Sequence, residues 1–121
     1  MLLKTLPQLF SICKVENFLS DTFSYPYVFI AGTPEEKSLV CPTDLIPENV
    51  VIREDGWKGF FISGTLDFSL VGILAGISDV LAKEKIGIFV VSTYNTDYIF
   101  VKKENFLSAV SALKKAGYRI E

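Results

Sequence analysis

Residues 57–101, WKGFFISGTLDFSLVGILAGISDVLAKEKIGIFVVSTYNTDYIFV, change their hydrophobic period twice. Trp57 to Gly64 is aromatic-rich and stops at a glycine, which is the make-up of a strand. Leu70, Ile73, Leu74, Ile77 and Leu81 then recur at helical spacing, so the stretch from Leu70 to Glu84 predicts an amphipathic helix. Asp67 and Ser69 precede it as candidate N-caps. Gly72, Gly76 and Asp79 fall on another face. Two interior glycines cost about 1 kcal/mol each against alanine, so a neighbour is expected close to that face. Lys85-Ile86-Gly87 ends the helix, with Gly87 as the turn residue. Ile88–Thr93 then reads as a strand and Asp97–Lys102 as its returning partner.

Working outward toward the C-terminus, Glu104–Ala116 predicts a second helix with Phe106, Leu107, Val110 and Leu113 on its apolar face. Gly117 stands where a C′ glycine belongs, and Tyr118-Arg119-Ile120 reads as a short last strand. The order is β-α-β-β-α-β, an α+β chain of the ferredoxin-like, split βαβ kind. The N-terminal half is less regular. Leu9–Val15, Tyr27–Ala31 and Lys37–Cys41 are strand candidates, with Gly32-Thr33-Pro34-Glu35 as the turn between the last two. Phe18–Phe23 and Pro42–Pro47 offer only short helical turns. This half reads as a worn copy of the same plan with reduced helices. The seam is expected at Arg53-Glu54-Asp55-Gly56, giving units 1–55 and 56–121 that share one core, since a 55-residue piece has little interior of its own.

The block Ser92-Thr93-Tyr94-Asn95-Thr96-Asp97 turns the chain without Gly or Pro, where a tight hairpin would ordinarily use Asn-Gly or Asp-Gly. Two readings fit. Ser92, Thr93, Asn95 and Thr96 can order the turn through side chain–backbone bonds. Alternatively, Thr93 and Asp97 also face a ligand cavity, because functional polar groups concentrate on loops.

The runs EKSLVCP (36–42) and EDGWKGFFISGTLDFSLVGILAGISDVLAKEKIGIFVVSTYNTDYIFV (54–101) resemble the small bacterial stand-alone ACT-domain proteins. These are relatives of the amino-acid-sensing ACT domains of aspartokinase and of the arginine sensor of the mTOR pathway. The resemblance spans nearly the whole chain and is densest from Glu36 to Val101. It implies a tandem of two ACT-like units, the first degenerate, forming a homodimer, with a ligand at a domain or subunit interface. The ligand-binding residues it implies lie in the strand-to-helix loop (Asp67, Phe68, Ser69, Leu70, Val71 and Gly72) and on the facing strand and turn (Ile88, Val90, Thr93, Tyr94, Asn95, Thr96 and Asp97). Aspartokinase-type domains often carry Asp-x-Pro-Gly in this loop, whereas here Asp67 is followed by Phe68-Ser69-Leu70. The implied role is regulatory and non-catalytic, on an enzyme partner that the sequence does not identify.

Physical chemistry points to the same place. An amino acid needs an anion site for its carboxylate, which a helix N-terminus provides, and an acceptor for its ammonium, which Asp67 provides. The plainer alternatives are that Asp67 only caps or orders its loop, and that Gly72 only lets the helix pack closely. A structural or interaction dimer whose ligand site is vestigial is the second functional reading.

Composition narrows the rest. Of 121 residues, 50% are hydrophobic and 21% charged, and the mean hydropathy is +0.37. That excess on so small a domain leads us to expect a homodimer. The net charge of −2, with scattered basic residues, speaks against nucleic acid as a partner. The apolar run from Phe68 to Leu81 is too short and too interrupted for a membrane span. The opening residues lack the pattern of a cleaved secretion signal, so a cytoplasmic location is expected. There is no histidine, which removes the commonest general base and metal ligand, and the carboxylates are spread thinly, so no metal or other cofactor is expected. Trp57, Phe60 and Phe61 read as core. Cys13 and Cys41 each sit in an apolar strand and read as buried thiols, with a disulfide between them as the alternative, and Cys41 has no basic neighbour in sequence to activate it.

Overall fold

Helical spacing produces the two helices of the computed structural model, α1 (Ile73–Lys83) and α2 (Phe106–Lys115). Around them run β1 (Leu2–Val15), β2 (Phe29–Gly32), β3 (Lys37–Pro42), β4 (Val50–Ile62), β5 (Phe89–Ser92), β6 (Asp97–Lys102) and β7 (Arg119–Ile120). Single 3₁₀ turns occupy Ser20–Ser24, Thr43–Leu45 and Lys103–Asn105. The structure describes residues 1–67 and 69–121, and the side chains of all of these except Thr22 and Phe23. The chain divides into two units. One comprises Met1–Pro7 with Lys58–Glu121, and the other Gln8–Trp57.

In the larger unit, β4, α1, β5, β6, α2 and β7 follow the β-α-β-β-α-β order expected from the sequence. Its strands lie in the order β7-β1-β4-β6-β5, so the start of β1 is inserted beside β7, which it pairs in parallel through Leu2↔Arg119 and Leu3↔Ile120. One face of this sheet is covered by the helices. The core comprises Leu3, Phe60, Ile62, Ile77, Leu81, Ile99, Val101, Ala109 and Leu113, all buried, with Ile73, Leu74, Phe106 and Tyr118 packed around them.

Both helices end in the same device. The C′ residue takes the left-handed conformation, and two amides return to the last turn. In α2 this residue is Gly117 (φ 102°), as its position predicts, with Gly117 N–H donating to Lys114 and Tyr118 N–H to Leu113. In α1 it is Lys85 (φ 59°) rather than Gly87, with Lys85 N–H donating to Ala82 and Ile86 N–H to Leu81. Placing Ile86 in the core holds the non-glycine residue there. Leu107, expected on the apolar face of α2, is 81% exposed. The stripe follows Phe106, Ala109, Val110 and Leu113, at i, i+3, i+4 and i+7, which leaves Leu107 pointing away.

The Gln8–Trp57 unit repeats the strand plan without the helices. Its strands lie in the order β2-β3-β1-β4. The β2–β3 hairpin pairs Phe29 with Val40 and Gly32 with Lys37; adding sixty to each number gives the β5–β6 partners, Phe89 with Phe100 and Ser92 with Asp97. The turn at Thr43–Leu45 matches that at Lys103–Asn105 by the same offset. Two prolines limit the helical turns that remain. A residue before proline is pushed out of the helical region. Tyr25, before Pro26, is extended (φ −112°, ψ 143°), and so is Ile46, before Pro47 (φ −60°, ψ 125°). Each helix therefore stops after one 3₁₀ turn. The remaining core is small: Cys13, Val15, Leu39 and Cys41, backed by Phe18, Val28, Leu45, Ile46 and Val50.

Two strands exceed their sequence readings. β1 starts at Leu2 rather than Leu9, and β4 runs unbroken through Arg53-Glu54-Asp55-Gly56. Gly56 (φ 83°) lets β4 continue, and Arg53 pairs across to Asp55 at 3.0 Å, so the charges sit on an exposed strand face.

Candidate functional site

The segment between β4 and α1 is organised by Asp67. Its Oδ1 accepts the Ser69 N–H (2.8 Å) and its carbonyl accepts the Leu70 N–H (3.0 Å), a local Asx-type turn. The Ser69 amide foremost, and then the Ser69 side chain, lower the Asp67 pKa from 3.8. The helix does not begin there. Its first residue is Ile73, not Leu70, and its N-cap is Gly72 in the left-handed conformation (φ 81°) with no side-chain capping bond. Neither Asp67 nor Ser69 caps α1, because the turn at Asp67 closes first and Gly72 redirects the chain. The first helical bond runs from Gly76 N–H to the Gly72 carbonyl, so the amides of Ile73, Leu74 and Ala75 have no partner within the helix.

Gly76 has a separate reason. A Cβ there would lie 3.0 Å from the Tyr118 hydroxyl, so this is the close neighbour that the glycine accommodates.

The turn between β5 and β6 is held by its own side chains. Thr93 N–H donates to the Thr96 carbonyl (2.8 Å), Thr93 Oγ1 donates to the same carbonyl (3.1 Å), and Thr96 N–H reaches Thr93 Oγ1 (3.3 Å). Thr96, 7% exposed, turns inward and donates its hydroxyl to the Ile62 carbonyl (2.7 Å). Ser92 Oγ donates to Asp97 Oδ1 (2.6 Å) across a directly opposed pair. The threonine hydroxyls thus take over the task that glycine has in a tighter turn.

Loop and turn meet. Leu66 N–H donates to the Asn95 carbonyl at 2.7 Å, and beside this link opens a cleft of about 230 Å³. Its walls include Asp67, Leu70, Thr93, Tyr94, Asn95, Thr96 and Asp97, all expected from the sequence, together with Leu66, Ile73 and Ser92. Of the other expected residues, Ser69, Val71 and Gly72 do not line it, and Val71 is 90% exposed. Ile88 and Val90 pack on the core instead of the cleft. Phe68 lies outside the described residues. Ser92 was legible as the residue opposite Asp97 once the hairpin register is written out. Leu66 and Ile73 carry no polar signal, and only the fold brings them to the wall.

Chemically, the cleft offers the carboxylates of Asp67 and Asp97, no lysine or arginine on its walls, and an uncapped helix N-terminus at Ile73. Carboxylates accept several hydrogen bonds each, so Ser69 and Ser92 leave acceptor capacity on them. Among the described residues no group of three or more His, Cys, Asp or Glu side chains is placed to hold a metal ion, and no helix is long and apolar enough to cross a membrane.

Protein Atu0741 from Agobacterium tumefaciens has a similar structure, with a TM-score of 0.88 and 30% identity over 99% of this chain and 91% of its own. A Vibrio cholerae protein of unknown function, described as a possible transport protein, aligns at TM-score 0.71 and 24% identity, over 92% of this chain and 85% of its own. The regulatory subunit of aspartate kinase from Thermus thermophilus shares the fold at TM-score 0.64 and 12% identity, over 91% and 93% of the two chains. No curated protein matches. Residues 52–115 match the ACT-domain family. That span runs from within β4 to the end of α2 and contains the whole cleft, so the chain belongs to the ACT-domain family.

Proposed function

We propose that the protein is a non-catalytic regulatory ACT protein that binds a small zwitterionic ligand, an amino acid, in the cleft between Leu66–Ile73 and Ser92–Asp97. One observation carries this reading. Two carboxylates and Ile73, the first residue of the uncapped helix, share the walls of one cleft that has no basic side chain on them. The ligand ammonium is held by Asp67 and Asp97, and its carboxylate by the free amides at the start of α1. The apolar side chains of Leu66, Leu70 and Ile73 receive its body. Support for regulation comes from the fold shared with a protein described as a regulatory subunit.

The protein acts as a homodimer on a partner enzyme. The exposed apolar pair Leu70 and Val71, at the rim of the cleft, suits a surface covered by a second copy. That pair also favours the alternative, an interaction module in which the contact surface itself is the function.

Thermal melts with each of the twenty amino acids separate the two. A ligand at about one hundred times its dissociation constant adds about 2.7 kcal/mol of stability. Asp67→Asn and Asp97→Asn should each weaken that ligand by about tenfold or more, since a charge-assisted bond becomes a neutral one. No shift with any amino acid, alongside a dimer by light scattering, favours the interaction module. A 13.5 kDa monomer would remove the dimer from both readings.

A further inference from the structure

The two cysteines lie in the Gln8–Trp57 unit, on β1 and β3. Cys41 stands opposite Ser11, and Cys13 opposite Leu39, so the two are diagonal neighbours on the same face of adjacent antiparallel strands. Each is only 1% exposed. Each thiol is the leading influence on the other's acidity, as expected of side chains that share one face of two adjacent strands. This is more than two greasy residues sharing a core, because a path leads to them.

With its helices cut short at Tyr25-Pro26 and Ile46-Pro47, the unit keeps an open cavity of about 320 Å³ between its 3₁₀ turns. Leu19, Tyr25, Val28, Leu45 and Ile46 are among the lining side chains, and Cys41 forms part of the wall, whereas Cys13 does not. A small neutral oxidant therefore meets Cys41 first, with Cys13 directly behind it.

We propose that Cys13 and Cys41 form an oxidisable dithiol, a modification site at which a peroxide entering this cavity closes a cross-strand disulfide. The electrostatics place the first thiolate on Cys13, so Cys41 becomes the nucleophile only through proton transfer within the pair. The neighbouring Cys41 thiol foremost, and the Arg53 guanidinium, lower the Cys13 pKa against burial and the Asp55 charge, while the neighbouring Cys13 and burial raise that of Cys41. The pair thus loses its first proton from Cys13 and keeps the second on Cys41. When that proton moves onto Cys13, Cys41 is the thiolate at the cavity wall. It attacks one peroxide oxygen: an S–O bond forms, the O–O bond breaks, and the hydroxide leaving takes a proton to become water. The Cys13 sulfur then attacks the sulfenic acid: an S–S bond forms, the S–O bond breaks, and the departing hydroxide takes the remaining thiol proton as a second water. Two thiols are oxidised and one peroxide is reduced to two waters.

Diagonal neighbours are typically about 7–8 Å apart between Cα atoms, just beyond the usual disulfide span of about 4.4–6.8 Å. Closing the bond must draw β1 and β3 together, so the product is strained and readily reduced by a monothiol.

The test uses the full-length protein, dilute hydrogen peroxide and intact mass. Wild type should lose about 2 Da, remain a single chain on non-reducing gels, and recover its original mass with millimolar glutathione. In Cys13→Ser, dimedone should trap a sulfenic acid on Cys41, whereas Cys41→Ser should give no adduct, because Cys13 does not line the cavity. Two unreacted thiols in wild type, oxygen gained by each sulfur, or a bond between chains would each overturn the proposal. So would an adduct in Cys41→Ser alone. The wild-type mass decides the matter even if a variant misfolds.

Discussion

At Gly59 the space is already taken. A Cβ built there would stand 2.7 Å from Phe100 Cε1 and 2.9 Å from Cδ1, and the Phe100 ring is fully buried. Gly59→Ala should therefore destabilise the protein by about 1–3 kcal/mol, the usual cost of overpacking. At Gly87 a Cβ would meet nothing within 4 Å, and Gly87→Ala should leave stability within about 0.5 kcal/mol of wild type. Urea denaturation of the two variants reads the contrast directly. Asp67 makes a different prediction at the same scale. Its folded pKa is depressed below 3.8 because the Ser69 amide donates to its carboxylate. A group depressed on folding contributes stability above its unfolded pKa, and the contribution is lost as pH falls through the lower folded value. An NMR titration of the Asp67 carboxyl carbon should find a midpoint below 3.8, and a midpoint at or above it would contradict the Asx turn.

Among the elements, the two hairpins carry the clearest logic. Thr33 does for β2–β3 what Thr93 does for β5–β6, with Thr33 N–H donating to the Glu36 carbonyl (2.9 Å) and Glu36 N–H to Thr33 Oγ1 (3.1 Å). Thr93→Ala should cost about 0.5–1.5 kcal/mol in chemical denaturation while Thr93→Ser stays near wild type, because the hydroxyl and not the methyl closes the turn. Equal losses in both variants would shift the role to the methyl group. The polar block without glycine was legible in the sequence as a self-ordered turn. The direction of the Thr96 hydroxyl was not, since only the fold brings the Ile62 carbonyl beneath it. The same divide holds for α1. Its stripe of Ile73, Leu74, Ile77 and Leu81 was written in the spacing, but its start was not. Asp67 and Ser69 have the chemistry of N-caps, and the Asx turn they form consumes it three residues too early. The worn helices of the N-terminal half follow the opposite rule. Pro26 and Pro47 mark where they stop, a signal carried by two residues in full view.

Over the molecule as a whole, the larger unit is assembled from two separate pieces of chain. Its core includes Leu3, fully buried, and the amides of Arg119 and Glu121 donate to the carbonyls of Met1 and Leu3 (3.0 and 2.9 Å). Ser63 N–H donates to the Leu2 carbonyl (3.0 Å) from the other side. The first seven residues thus supply both an apolar plug and a hydrogen-bonding edge to residues 58–121. A fragment of residues 58–121 loses both, and removal of a buried leucine side chain alone typically costs about 2–5 kcal/mol. That is a large part of what a domain of this size has to spare. The fragment should therefore melt without a cooperative transition. Because β7 runs parallel to β1, with Arg119 beside Leu2, a chain leaving Glu121 must travel back only a few residues' length to reach Met1. A Gly/Ser linker of about eight residues spans that distance with slack. A permuted fragment, 58–121 followed by this linker and residues 1–7, should recover a cooperative transition in circular dichroism. Leu3→Ala within the permuted fragment should weaken that transition again. If fragment 58–121 already melts cooperatively, the N-terminal strand is an accessory to the unit; if the permuted fragment fails while full-length protein folds, the unit depends on more of the chain than the fourteen-residue β1 contributes to it.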